Sequence, residues 1–313
     1  MLIAGPNLTI DRTIRLAELR PGEVMRASAA EVAAGGKGVN VVKLAALLGR
    51  PSELVAFLPE GRTGAVVEAW LAEDGVALQA VPLPGEVRSA AIMLEDSGRT
   101  TVLNEPGPPA AEIAWSAYTA TVEERLGGHR VLACSGSTPP ASPDDAYARL
   151  VRLASAQGLT SIVDATGAAL ASALDAGPDL VTPNLAEAEE LLTGRAEHLV
   201  HAAAPGLTSR ATEAARQLVR RGAGAAIVTA GPAGLALVQE DGQRWFDAPE
   251  IEVRNAVGAG DAVVAGLGCA LERGEPLEDA VLAGIVSAAA SVEQDLPGRL
   301  DLARAEELRR ALQ

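Results

Sequence analysis

The chain has 313 residues, with 41 Asp and Glu against 26 Lys and Arg, a formal charge of −15, 48% hydrophobic residues and only 2% aromatics. That length allows one large α/β domain or two ordinary ones with ample core. The negative field opposes phosphate backbones and anionic membrane surfaces, and no basic patch offsets it, so neither a nucleic-acid partner nor a membrane is expected. Cys134 and Cys269 lie in apolar runs and make no disulfide framework. No stretch approaches the roughly 18 apolar residues of a membrane span, and Met1 to Pro6 is too short for a signal-peptide core. A cytoplasmic protein is the expectation. Three histidines, His129, His198 and His201, without a cysteine pair argue against zinc.

Short apolar runs alternating with longer segments of 3.6 periodicity predict strands feeding helices in a parallel sheet. In chain order, a strand is expected over Leu2–Gly5. The segment from Thr13 to Val32 lacks a helical stripe and contains the turn Pro21-Gly22. A helix over Gly38 to Leu48 closes at Gly49, a strand covers Leu54–Leu58, and a helix over Thr63 to Asp74 closes at Gly75. Ala90–Glu95 and Thr100–Leu103 flank Asp96-Ser97-Gly98-Arg99 and read as a hairpin. Trp70, Trp115 and Tyr118 fall on helical stripes and are expected in the core. Strands follow at Val131–Cys134, Ser161–Asp164, Leu180–Thr182 and Ala226–Thr229. A helix over Arg210 to Arg221, closing at Gly222, precedes the last of them. Val200–Thr208 is the most loop-like stretch. The two segments that break the rhythm, about 13–32 and 88–104, are expected to form an antiparallel patch outside the parallel sheet. That patch would be a lid or dimerisation flap on one domain spanning 1–313.

Two clusters carry chemistry. Ala34-Gly35-Gly36-Lys37-Gly38-Val39-Asn40 stands before a helix, where glycines let a ligand approach the backbone and free N–H groups favour an anion. It is not a Walker loop, because Gly38 follows Lys37 where Ser or Thr is required. Asn255-Ala256-Val257-Gly258-Ala259-Gly260-Asp261 precedes a helix expected over Ala262 to Leu271. A nest of N–H groups there suits a transferring phosphoryl group, and Asp261 is placed to accept the proton of an attacking hydroxyl. Asp261 as a simple N-cap is the other reading of the same spacing.

Together, Gly-Gly-x-Gly-x-Asn and Gly-Ala-Gly-Asp resemble the signatures of the PfkB (ribokinase-like) family of sugar kinases. The resemblance extends through Gly5-Pro6-Asn7-Leu8-Thr9-Ile10-Asp11, Asn104-Glu105-Pro106-Gly107-Pro108, Ser135-Gly136-Ser137-Thr138-Pro139-Pro140 and Pro183-Asn184-Leu185-Ala186-Glu187. Within the family these segments are similar to the branch of 1-phosphofructokinase and tagatose-6-phosphate kinase. It implies a three-layer α/β/α sandwich with a small β-sheet lid, a homodimer formed through that lid, and ATP with Mg²⁺ as co-substrate and metal. It further implies that Asp261 is the catalytic base and Gly258, Ala259 and Gly260 the anion hole. Asp11, Gly36 and Asn40, with Gly35 beside them, match positions around the sugar hydroxyls. Asn184 and Glu187 match a motif that organises the metal and nucleotide phosphates, usually through water. Thr229, Gly231 and Gly234 match a segment beside the nucleotide.

A ketohexose phosphate is the expected acceptor, fructose 1-phosphate first, then fructose 6-phosphate or tagatose 6-phosphate. Lys37, Arg88 and Arg26 are the candidate partners of its phosphate; Lys37 and Lys43 are the only lysines. Three positions depart from the family pattern. Ala256 replaces a residue that is usually hydroxylated, valine or proline. Thr182 stands where the phosphofructokinase branch commonly has a lysine, and Asn255 where ribokinase-type members often carry an Asp associated with a monovalent cation. A kinase of an unphosphorylated sugar or nucleoside, and a sugar- or nucleotide-sensing protein without catalysis, are the alternatives. A dinucleotide-binding dehydrogenase is disfavoured, because no Gly-x-Gly-x-x-Gly follows the first strand.

Overall fold

The computed structural model describes residues 1–195 and 206–312. His198, His201 and the 200–205 part of the expected loop lie outside the described residues. The first strand, β1 (Leu2–Asn7), is buried almost throughout and is followed at once by β2 (Thr9–Leu16) and β3 (Ala29–Gly35). Then come α1 (Lys37–Leu47), β4 (Glu53–Pro59), α2 (Arg62–Glu73), β5 (Ala77–Leu83), β6 (Arg88–Glu95) and β7 (Thr100–Asn104). The middle of the chain alternates helix and strand: α3 (Glu112–Arg125), β8 (Val131–Ser135), α4 (Ala146–Ala156), β9 (Thr160–Asp164), α5 (Gly167–Asp175), β10 (Leu180–Val181) and α6 (Leu185–Thr193). The last part holds α7 (Leu207–Arg220), β11 (Ala225–Thr229), β12 (Gly234–Gln239), β13 (Gly242–Asp247), α8 (Ala259–Glu272), α9 (Leu277–Val292) and α10 (Leu302–Leu312).

The larger sheet runs β13-β12-β11-β10-β9-β8-β1-β4-β5. From β5 to β11 every pairing is parallel, and β12 and β13 add an antiparallel meander at one edge. Its strands are apolar on both faces, as a sheet covered on both sides requires. Alternate residues feed two cores: Ile3, Val131, Ala133 and Ile227 pack with α1, α2, α8, α9 and α10, whereas Leu2, Ala4, Leu132, Cys134 and Val228 pack with α3 to α7. The result is three layers. Four of the few aromatics, Phe57, Trp115, Tyr118 and Tyr147, cluster in the second core with centroids 4.7–6.5 Å apart. Trp115 and Tyr118 are fully buried, as the helical stripes predict, while Trp70 is half-buried. Cys134 and Cys269 are buried and unbridged.

The smaller sheet runs β3-β2-β6-β7. Its β2–β3 and β6–β7 pairs are antiparallel, but β2 and β6 pair parallel from Thr9 opposite Arg88 to Leu16 opposite Glu95. The expectation of a wholly antiparallel patch is corrected here. β2 continues from β1 and β6 follows β5, two parallel strands whose carboxyl ends leave the larger sheet at the same edge, so both continuations run the same way. Strand structure also begins at Thr9, ahead of the expected Thr13. An ion pair of Arg15 with Asp295 (2.8 Å) ties β2 to the segment after α9. No helix among the described residues is long and apolar enough to cross a membrane.

Candidate active site

In the larger sheet the strands after β1 build outward first through β4 and β5, then on the other side from β8 to β11. That reversal creates a crevice at the carboxyl ends of the strands, where α/β proteins bind ligands. A cavity of about 950 Å³ opens there, lined by the ends of β1 (Asn7), β8 (Ser135), β9 (Asp164) and β11 (Thr229), and closed over by β2, β6 and β7. Tyr147, from the aromatic cluster, donates to the Gly136 carbonyl (2.9 Å) and so holds one wall of the cavity against the core.

The floor is the start of α8. The helix begins at Ala259, three residues before the expected Ala262, with Gly258 as its N-cap at φ +86°, a conformation that favours glycine. Asp261 is therefore the third residue of the helix and not its cap. Helix geometry leaves the first-turn amides, Gly260 and Asp261 among them, without a carbonyl partner inside the helix, which is the requirement for an anion nest. The Asp261 carboxylate is almost completely buried and accepts from Asn40 Nδ2 at 2.7 Å. Burial lifts its pKa to about 7, against the lowering pull of Lys37 and with a further rise from Asp164. Asn255 braces the approach to this turn, accepting from the Val257 N–H (3.0 Å) and donating to the Asp295 carbonyl (3.1 Å).

Lys37, the first residue of α1, reaches across the cavity to β9. Its Nζ lies 3.1 Å from Asp164 Oδ1 and 3.9 Å from Glu187 Oε1. Burial pulls the ammonium toward neutrality, but Asp164, then Glu187 and Asp261, hold it charged above its ordinary range. Asn184 and Glu187 form a capping box at the start of α6: Asn184 Oδ1 accepts from the Glu187 N–H (2.9 Å), and Glu187 Oε2 accepts from the Asn184 N–H (3.0 Å). This leaves Glu187 Oε1 facing Lys37. Burial raises the Glu187 pKa, with Lys37 opposing. Thr182 is buried beside them, and its Oγ1 has no hydrogen-bond partner among the described residues.

Asp11 and Arg88 hang from β2 and β6 over the opposite wall. Burial lifts Asp11 to about 6, opposed by Arg88 and by the Gly36 N–H. A Cβ on Gly35 would fall 2.0 Å from Asp11 Oδ2, so only glycine leaves this carboxylate its place. Arg88 donates to the carbonyls of Asn7 (3.3 Å) and Glu105 (3.2 Å) and lines the cavity. Arg26 is exposed on the β2–β3 connection and is not part of the cavity wall. Thr229 and Gly231 border both this cavity and a second, apolar one of about 400 Å³, which also takes in Gly234, Ile251, Val263, Ile285 and Ala289. A flat apolar group joined to phosphates would fit across the two.

Of the residues given site roles from the sequence, all but Gly35, Arg26 and Gly234 line the main cavity; Gly234 lines its neighbour, and Asn255 stands just outside the lining. Asp164 was missed. Its signal was an aspartate closing a buried strand at the carboxyl edge, where ligands sit. Asn7 and Ser137 were quoted only within segments; they are joined by a hydrogen bond of 3.1 Å on the cavity wall.

A layered α/β fold, an anion nest at a helix start and a buried carboxylate beside it define a small-molecule kinase that transfers phosphate to a hydroxyl. The chain belongs to the pfkB family of carbohydrate kinases, whose sequence profile matches residues 7–300. It is 35% identical over 270 residues to a 1-phosphofructokinase of Xanthomonas campestris pv. campestris, covering 85% of this chain and 82% of that protein. Phosphofructokinase-2 of Escherichia coli, solved in complex with fructose-6-phosphate, is 25% identical and superimposes with a TM-score of 0.85 over 100% of this chain and 98% of that one. The ribokinase of Thermotoga maritima, at 20% identity, shares the fold with a TM-score of 0.73 over 99% and 98% of the two chains. The fold is thus ribokinase-like, as the sequence motifs imply.

Proposed function

We propose that the protein transfers the γ-phosphoryl group of ATP to a hydroxyl of a ketohexose phosphate, with fructose 1-phosphate as first choice and fructose 6-phosphate or tagatose 6-phosphate next. The observation that carries this reading is Asp261, a buried carboxylate with a pKa of about 7 at a helix start whose Gly260 and Asp261 amides have no carbonyl partner inside the helix. A general base works best with a pKa near the working pH. Asp261 accepts the proton of the attacking hydroxyl while Asn40 holds the carboxylate in place. The Gly258–Gly260 turn offers its amides to the charge that develops on the transferring group. Asp11 and Asn40 fix the sugar hydroxyls, and the base of the nucleotide fills the apolar slot beyond Thr229 and Gly231.

Among the described residues no cluster of three or more His, Cys, Asp or Glu side chains is arranged to hold a metal by itself. Magnesium ordinarily arrives with phosphates, keeps several waters and takes only one or two carboxylates from the protein. Asp164 and Glu187, facing each other across Lys37, fit that pattern, with Asn184 beside them. Bound there, Mg²⁺ would neutralise charge on the nucleotide phosphates.

The acceptor's own phosphate needs a cation, and Arg88, half-buried between Asp11 and Glu105, is the one we assign. The smaller sheet serves as lid to a single kinase domain. Its edge strands expose Val32 (45%) and Leu103 (68%) on the face turned away from the cavity, which favours a homodimer through this sheet. A coupled assay of ADP release over a panel of hexoses and hexose phosphates tests the reading. Turnover confined to ketohexose phosphates is expected. Equal use of free sugars would instead support the alternative of a free-sugar kinase.

A further inference from the structure

The lysine between the phosphate-side carboxylates is an unusual neighbour for a metal. Lys37 Nζ sits 3.1 Å from Asp164 and 3.9 Å from Glu187, so the ammonium occupies the space that a cation bridging those two groups would need. Asp164 is 3% exposed and Glu187 22% exposed, which makes both poorly hydrated and dependent on a counter-charge. Asp261, on the floor of the cavity, also acts on Lys37 and helps to hold it charged. Without Lys37, these carboxylates would face one another uncompensated. A second observation points to a ligand here: the Thr182 hydroxyl, 4% exposed on the same wall, has no partner among the described residues.

We propose that Lys37 is a resident counter-cation for Asp164 and Glu187 that the metal accompanying the nucleotide displaces, freeing the ammonium for phosphate oxygens in the same cavity. The inference rests on the assignment of those two carboxylates to the metal. A dication held by this pair would repel the ammonium and compete with it for Asp164 Oδ1 and Glu187 Oε1. Lys37 is attached at the head of α1, directly after Gly36, and 33% of its side chain is exposed toward the cavity. A rotation about its own side-chain bonds moves the charge without moving the helix. The nucleotide and the sugar phosphate both place anions within that reach, so metal binding on one wall is coupled to anion binding in the middle of the site.

The test is titration of the nucleotide-free protein with Mn²⁺, read by electron paramagnetic resonance, with thermal unfolding as a check on folding. Lys37→Met keeps the length of the side chain and removes its charge; Lys37→Gln serves if the first variant folds poorly. Either should bind Mn²⁺ at least about tenfold more tightly than the parent, a change that one removed like charge readily produces. That gain should disappear when Glu187→Gln is added. Mn²⁺ affinity that is unchanged or weaker in both Lys37 variants overturns the displacement. If Asp164→Asn and Glu187→Gln nevertheless weaken Mn²⁺ binding in the presence of a non-hydrolysable ATP analogue, the metal assignment stands alone. If they leave it untouched, both ideas fall.

Discussion

Asp261→Asn should abolish most activity and stabilise the fold, a pairing that a merely structural residue would not show. The ordinary pKa of an Asp is 3.8, and burial lifts this one to about 7. At about 1.36 kcal/mol per unit, that difference is worth about 4 kcal/mol. The sign follows from linkage. The folded state binds this proton more tightly than the unfolded chain, so its contribution is fully present below pH 3.8 and is lost as pH rises through 7. Asn cannot ionise and escapes that loss, and its amide oxygen can still accept from Asn40 Nδ2. The variant should therefore exceed the parent by roughly 1–4 kcal/mol in denaturant unfolding at pH 8, with the gap closing toward pH 4. Turnover should fall by about 10²–10⁴, the range for removal of a general base. In the parent, kcat/KM should rise with pH through about 7. A less stable variant at pH 8, a pH-independent difference, or near-normal turnover would each refute the role given to this carboxylate.

Three further outcomes are expected. Arg88→Ala should impair use of a hexose phosphate about 10- to 150-fold in kcat/KM, mainly through KM, while sparing any residual use of the free hexose; steady-state kinetics on both acceptors decide it. Gly258→Ala places a side chain at φ +86° with its Cβ 3.1 Å from Pro297 Cβ, so unfolding should show a loss of about 1–2 kcal/mol. Its kcat should drop as the amide nest shifts. Thr182→Val removes a buried hydroxyl that lacks a partner among the described residues, so stability should hold or rise by about 1 kcal/mol. A rise in KM for ATP in that variant would show that the hydroxyl meets the nucleotide side of the site.

The strands that carry the site were legible because a parallel sheet covered on both faces must be apolar on both, and short runs such as Val131–Cys134 and Ala226–Thr229 stand out against amphipathic helices. The hairpin of β6 and β7 was legible from Asp96-Ser97-Gly98-Arg99. Its parallel partner was not, since the pairing of β2 with β6 joins segments about eighty residues apart through strand directions that only the larger sheet fixes. The helix start at Ala259 was misplaced because Asp is a common cap and Gly-Ala-Gly a poor helix, yet tertiary packing against α9 and α1 overrides that propensity. Asp164 escaped notice for a related reason. One aspartate at the end of a strand has no spacing pattern, and its partner Lys37 lies 127 residues away.

A chain of charge −15 that takes up two polyanionic ligands looks mismatched, but the relevant field is local. Beyond about 8–10 Å salt screens the exposed carboxylates, whereas the cavity groups interact at bonding distance in a poorly hydrated space. There the balance is close: Lys37 and Arg88 stand against Asp11, Asp164, Glu187 and Asp261. Protons held by Asp11 and Asp261, with pKa values near 6 and 7, relieve part of the excess. The remainder suits a ligand that brings its own cation. A site built wholly of arginines would bind phosphates well but would leave no carboxylate to take a proton from the sugar. The mixture of carboxylates with two cations lets one cavity hold anions and still perform base chemistry.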